Sequence, residues 1–350
     1  MIINQKTYAV ESVTSGHPDK VCDQISDAIL DACLAQDPNS RVAVESFGGH
    51  GLVAIGGEVT TLAKVDYQEV AKKVYKDIGY DQELKFIINI VEQSPDIAMG
   101  VDVGGAGDQG IMYGYASDET PEFLPWAVVK VHALAKGLQN LREKGIVSWL
   151  KPDGKTQIVM ENGKVKNVLV STQHDANVSV EEIEKVLTEK LIAPILGDIN
   201  GVEIFVNPTG KFVQGGFEAD TGLTGRKIMV DTYCGLILHG GGCFSGKDPS
   251  KVDRSAAYMA RFAAKNIVAN GYAKQCLVSV AYAIGKVEPL MVSAIDENGK
   301  VLDELLNKNF DFRPLSIINN LDLKKPIYLK TAAYGHFGKA DLPWEKIIKI

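Results

Sequence analysis

Two short apolar runs parted by turn residues, then a stretch of helical period: this order occurs three times and restricts the fold more than any other feature of the chain. The runs 42–47 and 52–59 flank Gly-Gly-His-Gly and lead into a helical pattern over 66–78. The runs 155–160 and 165–171 flank Glu-Asn-Gly-Lys, before a helical pattern over 180–196. The runs 276–284 and 289–295 flank Gly-Lys-Val-Glu, before a short one near 302–306. Apolar runs around Gly- and Asn-containing turns are hairpin signatures. Apolar residues three and four apart mark helices. The repeat lies in pattern and not in identities. It predicts an α+β fold of three units, each a mostly antiparallel sheet with helices on one face. The faces the three sheets share can form either the core or an oligomer contact.

The stretch that carries the chemistry lies outside those hairpins. His239-Gly-Gly-Gly-Cys-Phe-Ser-Gly-Lys-Asp-Pro-Ser-Lys-Val-Asp-Arg254 joins apolar runs at 228–230 and 236–238 to an Ala-rich helical pattern over 250–270. Three successive glycines leave backbone N–H groups unshielded, and a helix start adds its positive end, so the loop suits an anion. Lys247 and Lys251 add cations. Asp248 and Asp253 beside them suit a hard metal such as Mg²⁺. The stretch reads as a polyphosphate–metal cradle. Gly241 to Lys247 also fits the P-loop pattern, but Asp248 stands where that loop needs Ser or Thr.

Bulk composition sets the class. A net charge of −7 and a pI near 5.5 argue against a nucleic-acid binder, which needs a basic face. No run approaches the ~18 apolar residues of a membrane span, and the first residues lack a signal-peptide layout. Five scattered cysteines without C-x-x-C spacing fit a reducing compartment. A cytoplasmic enzyme is the expectation.

Other stretches add charge of both signs. In Ser-Gly-His17-Pro-Asp19-Lys20, Pro18 suits the first turn of a helix and Asp19 and Asp23 its positive end. Ile25, Ala28, Ile29, Ala32 and Cys33 continue it at helical spacing. Residues 93–115 are Gly-rich, with Asp96, Asp102 and Asp108 among them, but without the spacing of a Ca²⁺ loop. A long amphipathic helix follows over 125–144. Lys151-Pro-Asp153-Gly-Lys155 reads alone as a turn before a strand, with Asp153 and Lys155 solvated. The Gly-rich stretch 207–227 ends in a basic pair, Arg226-Lys227, entering a strand. Together these raise the phosphate-capable cations to Lys20, Lys155, Arg226, Lys227, Lys247 and Lys251, against Asp19, Asp108, Asp153, Asp220 and Asp253. So many charges of both signs suit a polyphosphate with metal ions.

These motifs together resemble the S-adenosylmethionine synthetase (methionine adenosyltransferase) family. The resemblance rests on Gly-His17-Pro-Asp19-Lys20, Gly-Gly-Glu58, Gln93-Ser-Pro-Asp-Ile, Gly-Ala-Gly-Asp108-Gln-Gly, Pro-Asp153-Gly-Lys155 and Asn-Pro-Thr-Gly-Lys211-Phe212. It also rests on Asp220-Thr-Gly-Leu-Thr-Gly-Arg226-Lys227, the 239–254 stretch and Thr331-Ala-Ala-Tyr-Gly-His-Phe-Gly, in family order over nearly the whole chain. It implies three interleaved α+β subdomains with pseudo-threefold symmetry, with segments 1–97, 98–215 and 216–350. The implied reaction converts ATP, L-methionine and water to S-adenosylmethionine, phosphate and diphosphate, with two Mg²⁺ per site and K⁺.

The resemblance also implies residue roles. His17 would sit at the bridging O5′, while Asp19 and Asp253 would hold Mg²⁺ and Glu45 K⁺. Lys155, Arg226, Lys227, Lys247 and Lys251 would surround the phosphates; His17, Lys155, Arg226 and Lys247 would be catalytic. Asp108, Asp153, Lys211, Phe212, Asp220 and the backbone at Cys243 would contact ATP. Glu58, Gln93, Asp220 and Lys251 would contact methionine. Partners would be ATP, methionine and a second copy of the chain sharing its active sites, the pair assembling as a dimer of dimers, with no nucleic acid and no membrane.

The chain departs from better-known bacterial members in three places. The stretch 79–93 is shorter, the loop 97–105 lacks several residues, and the chain stops soon after Trp344. The loop falls in the family's mobile active-site lid, so a lid that moves but seals poorly is expected. Two other readings compete: a P-loop-type phosphotransferase, and a non-catalytic relative that binds nucleotide. The first requires a parallel sheet. The second requires losses among His17, Asp19, Lys155, Lys247 and Asp253, all of which are present.

Overall fold

The computed structural model describes residues 6–92 and 104–350. Among them the strands run, in chain order, β1 (Thr7–Val13), β2 (Arg41–Gly49), β3 (Leu52–Thr60), β4 (Lys85–Val91), β5 (Gly110–Ser117), β6 (Leu150–Glu161), β7 (Lys164–His174), β8 (Glu203–Val206), β9 (Gly222–Leu223), β10 (Gln275–Tyr282) and β11 (Met291–Asp296). The helices are α1 (Pro18–Leu34), α2 (Tyr67–Ile78), α3 (Trp126–Glu143), α4 (Val180–Leu187), α5 (Ala193–Leu196), α6 (Ile228–Asp231), α7 (Val252–Ala269), α8 (Asp303–Asn309) and α9 (Pro314–Asn320).

All three predicted hairpins form: β2–β3, β6–β7 and β10–β11, each antiparallel. The first turns on His50 and Gly51 and the second on Asn162 and Gly163, all with positive φ. Two successive left-handed residues are what a two-residue type I′ turn demands, and Asn and Gly adopt that region most readily. Each hairpin then recruits a strand from far along the chain. β1 pairs with β6, β9 with β2 and β5 with β10, all antiparallel. Among the described residues, parallel pairing is confined to β3–β4 and β7–β8. The sheet orders are β4-β3-β2-β9, β1-β6-β7-β8 and β11-β10-β5. The fold is therefore α+β, and its three units are interleaved.

One long helix covers one face of each sheet: α1 lies on β2, α3 on β6 and β1, and α7 on β5 and β10. Along β2, Val42, Val44 and Ser46 are buried toward α1, while Ala43, Glu45 and Phe47 point the other way. That opposite face stays open, with Phe47, Ile87 and Val91 exposed on this sheet and Ile111 on the third. Helices α1 and α7 are locked together by Arg254, fully buried, which grips Asp27 through two hydrogen bonds of 2.6 and 2.9 Å. The fork of a guanidinium matches a carboxylate in this way.

One reading of the sequence is corrected and another refined. The apolar run at 228–230 is one turn of helix, α6, and not a strand. Periodicity cannot separate the two over so short a run, and the helical turn carries Asp231 inward to meet Lys20. The helix over 180–196 is present but widens into a π turn at Thr188–Ile192 between α4 and α5. The wide turn precedes Pro194, which has no N–H to continue the ladder. Gln93, Asp96, Asp102 and the shortened lid loop up to residue 103 lie outside the described residues.

Candidate active site

Helix α1 organises the site through four aspartates at four-residue spacing: Asp19, Asp23, Asp27 and Asp31. Residues four apart share a helix face, and here each carboxylate accepts a backbone N–H from a segment crossing that face. Asp19 takes Leu223 N at 3.0 Å, Asp23 takes Gly225 N at 2.9 Å and Asp27 takes Gly246 N at 2.8 Å. Asp31 takes Leu329 N at 2.8 Å and Tyr328 N at 2.9 Å. The Gly-rich turns holding Arg226, Lys227 and Lys247 are thus pinned to one helix. The acidic stripe was readable as a spacing in the sequence, but Asp23, Asp27 and Asp31 were not singled out for this role.

At the helix start, His17 is the N-cap, and its Nδ1 accepts the backbone N–H of Asp19 at 3.2 Å. Burial lowers its pKa to about 3, with Lys227 acting in the same direction. The imidazole is therefore neutral. With Nδ1 an acceptor, the ring proton sits on Nε2, which makes no hydrogen bond among the described residues. Asp19 is buried and carries two cations: Lys227 Nζ at 2.5 Å and Arg226 Nε at 3.4 Å. Lys155, half-exposed on β6, has its ammonium 3.8 Å from Glu11. Asp220 is exposed and caps its own neighbour, accepting Thr221 N at 2.7 Å.

Asp153 is buried, which corrects its reading as a solvated turn residue. Its Oδ2 accepts Gly216 N at 2.8 Å, and burial raises its pKa to about 6. A register shift between Leu150 and Gly154 breaks the β6–β7 ladder here, so the Pro-Asp-Gly that suggested a turn lies within strand β6. Phe212 is fixed to the end of β7: its N–H donates to His174 Nε2 at 3.0 Å, and its carbonyl accepts His174 N at 2.9 Å. Lys211 beside it is exposed. Asp108, also exposed, accepts the N–H of Gln109.

A second group gathers around the cradle. Gly246 O accepts Val44 N at 3.0 Å and Lys247 bridges Ala43, so this stretch extends the β2 edge. Lys247 pairs with Asp253 at 2.7 Å, in the first turn of α7. A Cβ on Gly242 would stand 2.2 Å from the Asp253 carboxylate, so only glycine lets the loop pass that close. Glu58 lies opposite Ala43 in the β2–β3 ladder, and Glu45 is two residues along, on the same open face. Lys251, the N-cap of α7, is held by Asp248 at 2.5 Å. Asp248 is buried and also accepts Val42 N and Ser250 N. It ties the loop to β2, and with β2 paired antiparallel to both its neighbours the P-loop reading fails. The two groups meet where Gly225 lies against Cys243.

Lys20 does not belong to the phosphate-capable set. It is fully buried between Asp23, at 2.9 Å, and Asp231. Burial alone would lower its pKa, but the two carboxylates hold it above the ordinary lysine value. Its charge is spent inside the protein.

Comparison with known proteins agrees with the motifs. Three domain descriptions match in order: S-adenosylmethionine synthetase N-terminal domain at residues 5–98, central domain at 103–212 and C-terminal domain at 214–346. The chain is 48% identical to the S-adenosylmethionine synthase of Staphylococcus epidermidis, covering 100% of this chain and 98% of that one. It is 50% identical to that of Pseudothermotoga lettingae, covering 98% and 97%. Identity to that of Mesoplasma florum is 47%, over 99% and 98%. With its three subdomains matched and relatives aligned end to end, the chain belongs to the S-adenosylmethionine synthetase family.

Proposed function

We propose that the site described above joins ATP to L-methionine by direct displacement at C5′. Membership in the family makes the chain a methionine adenosyltransferase. In the mechanism proposed here the methionine sulfur attacks C5′, the C5′–O5′ bond breaks, and its electron pair leaves on triphosphate. Water then cleaves the triphosphate to phosphate and diphosphate. Negative charge grows on O5′ and spreads over the phosphates, so donors and cations already in place lower the barrier.

The observation that carries this reading is the placing of His17 at the start of α1, where its Nδ1 accepts the Asp19 N–H and Nε2 is left as the ring's donor. A neutral imidazole with its proton on Nε2 can donate to the departing O5′ without repelling the adjacent cations. Lys155, Arg226, Lys227 and Lys247 surround the triphosphate. Asp153, Phe212, Asp220 and the backbone at Cys243 hold the nucleoside, with Asp108 and Lys211 at the edge. Glu58, Asp220, Lys251 and Gln93 receive methionine; Gln93 lies outside the described residues.

The carboxylates fit Mg²⁺. Among the described residues no group of three His, Cys, Asp or Glu could enclose a metal, so Asp19 and Asp253 would each give one ligand and phosphate oxygens and water the rest. That is the usual coordination of Mg²⁺ on nucleotides. Bound there, two Mg²⁺ would neutralise charge on the triphosphate. Lys227 and Lys247 pair with these same carboxylates, and with Asp19 and Asp253 on metal both ammoniums would be available to phosphate. Glu45 would hold K⁺ on the open sheet face.

That face also supports a shared site. Phe47, Ile87 and Val91 are exposed beside Glu45 and Glu58, and apolar surface of this kind is covered in homo-oligomers. We infer a homodimer with each site built from both copies, and a dimer of dimers above it. Five free cysteines, four of them buried, suit the cytoplasm. Among the described residues no helix is long and apolar enough to cross a membrane. The deciding experiment incubates the chain with ATP, methionine, Mg²⁺ and K⁺ and measures S-adenosylmethionine, phosphate and diphosphate. Formation of all three is expected; diphosphate with AMP in place of S-adenosylmethionine would overturn the displacement.

A further inference from the structure

The loop 14–17 sets where the His17 ring stands, and its carbonyls are bound one by one. Thr14 O accepts His17 N at 3.1 Å, and His17 O accepts Val21 N at 2.9 Å. Ser15 O accepts Gln24 Nε2 at 2.7 Å, from the next turns of α1. All three partners belong to the same loop or to α1, which it enters. Gly16 O differs: it accepts the hydroxyl of Tyr80 at 2.7 Å, from the connection between α2 and β4.

Tyr80 is rigidly placed for this task. It is 4% exposed. Its ring stacks on Tyr75 with centroids 4.9 Å apart, and Tyr75 stacks on Phe217 at 5.5 Å. Such offset stacks restrain ring position. The ring also covers Gly216, where a Cβ would fall 2.5 Å from Tyr80 atoms and where φ is +59°. Gly216 N is the donor to Asp153 Oδ2. One side chain thus touches both arms of the site: its hydroxyl holds the peptide before His17, and its ring walls the peptide that fixes Asp153.

We propose that Tyr80 is a positioning residue for methionine adenosyl transfer, its hydroxyl setting His17 through Gly16 O and its ring setting the nucleoside arm through Gly216. The proposal rests on the role given to His17 above. The two tasks are separable by substitution. Tyr80→Phe keeps the ring and loses the hydroxyl, so the Gly16–His17 peptide can rotate while the nucleoside wall remains. Misplacing a reacting group by about 1 Å can cost about 100-fold in rate, so kcat falls tenfold or more while KM for ATP stays within twofold. Tyr80→Leu loses the ring too, and KM for ATP then rises as well.

Loss of a buried hydroxyl could lower activity merely by loosening the fold, so a matched control is needed. Tyr282 is likewise buried and donates its hydroxyl to a backbone carbonyl, Phe312 O at 2.6 Å, in the connection between α8 and α9, which holds none of the site residues. Tyr282→Phe should lose comparable thermal stability and keep kcat. Steady-state kinetics and melting curves on the full-length wild type and these variants give the test. A Tyr80→Phe enzyme within twofold of wild-type kcat, or a fall that Tyr282→Phe matches, overturns the proposal. If the wild type forms no S-adenosylmethionine, the reading of His17 itself fails, which is a different result.

Discussion

Asp19 and Lys227, 208 positions apart in the chain, meet at 2.5 Å at the start of α1, and Arg226 approaches the same carboxylate at 3.4 Å. Asp253 and Lys247 repeat the arrangement at 2.7 Å. In both pairs a carboxylate suited to Mg²⁺ holds a lysine suited to phosphate. Each pair balances its own charge within the chain, so metal on the carboxylate and phosphate on the lysine would replace one ionic partner by another.

Asp19→Asn removes the anion and keeps its shape, since an amide oxygen can still accept Leu223 N. The fold should survive, and turnover should fall by at least about 100-fold, the scale of losing one preorganised electrostatic group. Circular dichroism checks the first expectation and a Mg²⁺ titration of turnover the second. Near-normal activity at ordinary Mg²⁺ would remove Asp19 from the metal site.

The hairpins and long helices were legible because their signals are local. Alternation, turn residues and helical period all act within about ten residues. Strands β1, β5 and β9 give no such signal of partnership: β1 finds β6 across more than a hundred residues, and only the folded chain shows the pairing. Asp153 and Lys20 failed for a related reason. Pro-Asp-Gly is turn chemistry wherever it occurs alone, and what buries it is Gly216, 63 positions away. Lys20 looked available because one of the aspartates that consume its charge, Asp231, lies 211 positions on. Charge in a motif is visible in sequence; the partner that spends it is not.

Lys20 gives a test of that distinction. Lys20→Met leaves Asp23 and Asp231 facing each other without their cation, and breaking a buried pair in this way costs about 3–5 kcal/mol. Lys155→Met, at a half-exposed position, should cost about 0.5 kcal/mol or less while abolishing activity. Urea unfolding at matched protein concentration compares the two. Equal midpoints would mean that Lys20 is not the structural cation inferred here.

Asp153 predicts a pH dependence of stability. Its folded pKa of about 6 lies above the unfolded value of 3.8. Between those values the folded state holds a proton that the unfolded state has lost, so stability falls as pH rises. The benefit of the protonated form is complete below about pH 4 and gone above about pH 6. Two pH units correspond to about 3 kcal/mol. Asp153→Asn cannot titrate and should lose that slope. Parallel stability–pH curves for wild type and variant between pH 4 and pH 6.5 would show that the carboxyl is not shifted.

The contacts knit the site residues into two groups, and a shared site turns that grouping into arithmetic. His17, Asp19, Lys155, Arg226 and Lys227 cluster at the start of α1, while Lys247, Asp253, Glu45 and Glu58 gather at the open edge of β2. Suppose each site takes the first group from one copy and the second from its partner. A dimer of one Asp19→Asn chain and one Lys247→Met chain then has one site with both defects and one site with neither. Random pairing makes half of all dimers mixed, so about a quarter of wild-type activity should return on mixing two dead proteins after co-refolding. Pairing Asp19→Asn with Arg226→Met, both in the first group, should return none, because every site then carries at least one defect. Recovery in neither mixture, with mixed dimers demonstrated by mass, would place the whole site within a single chain.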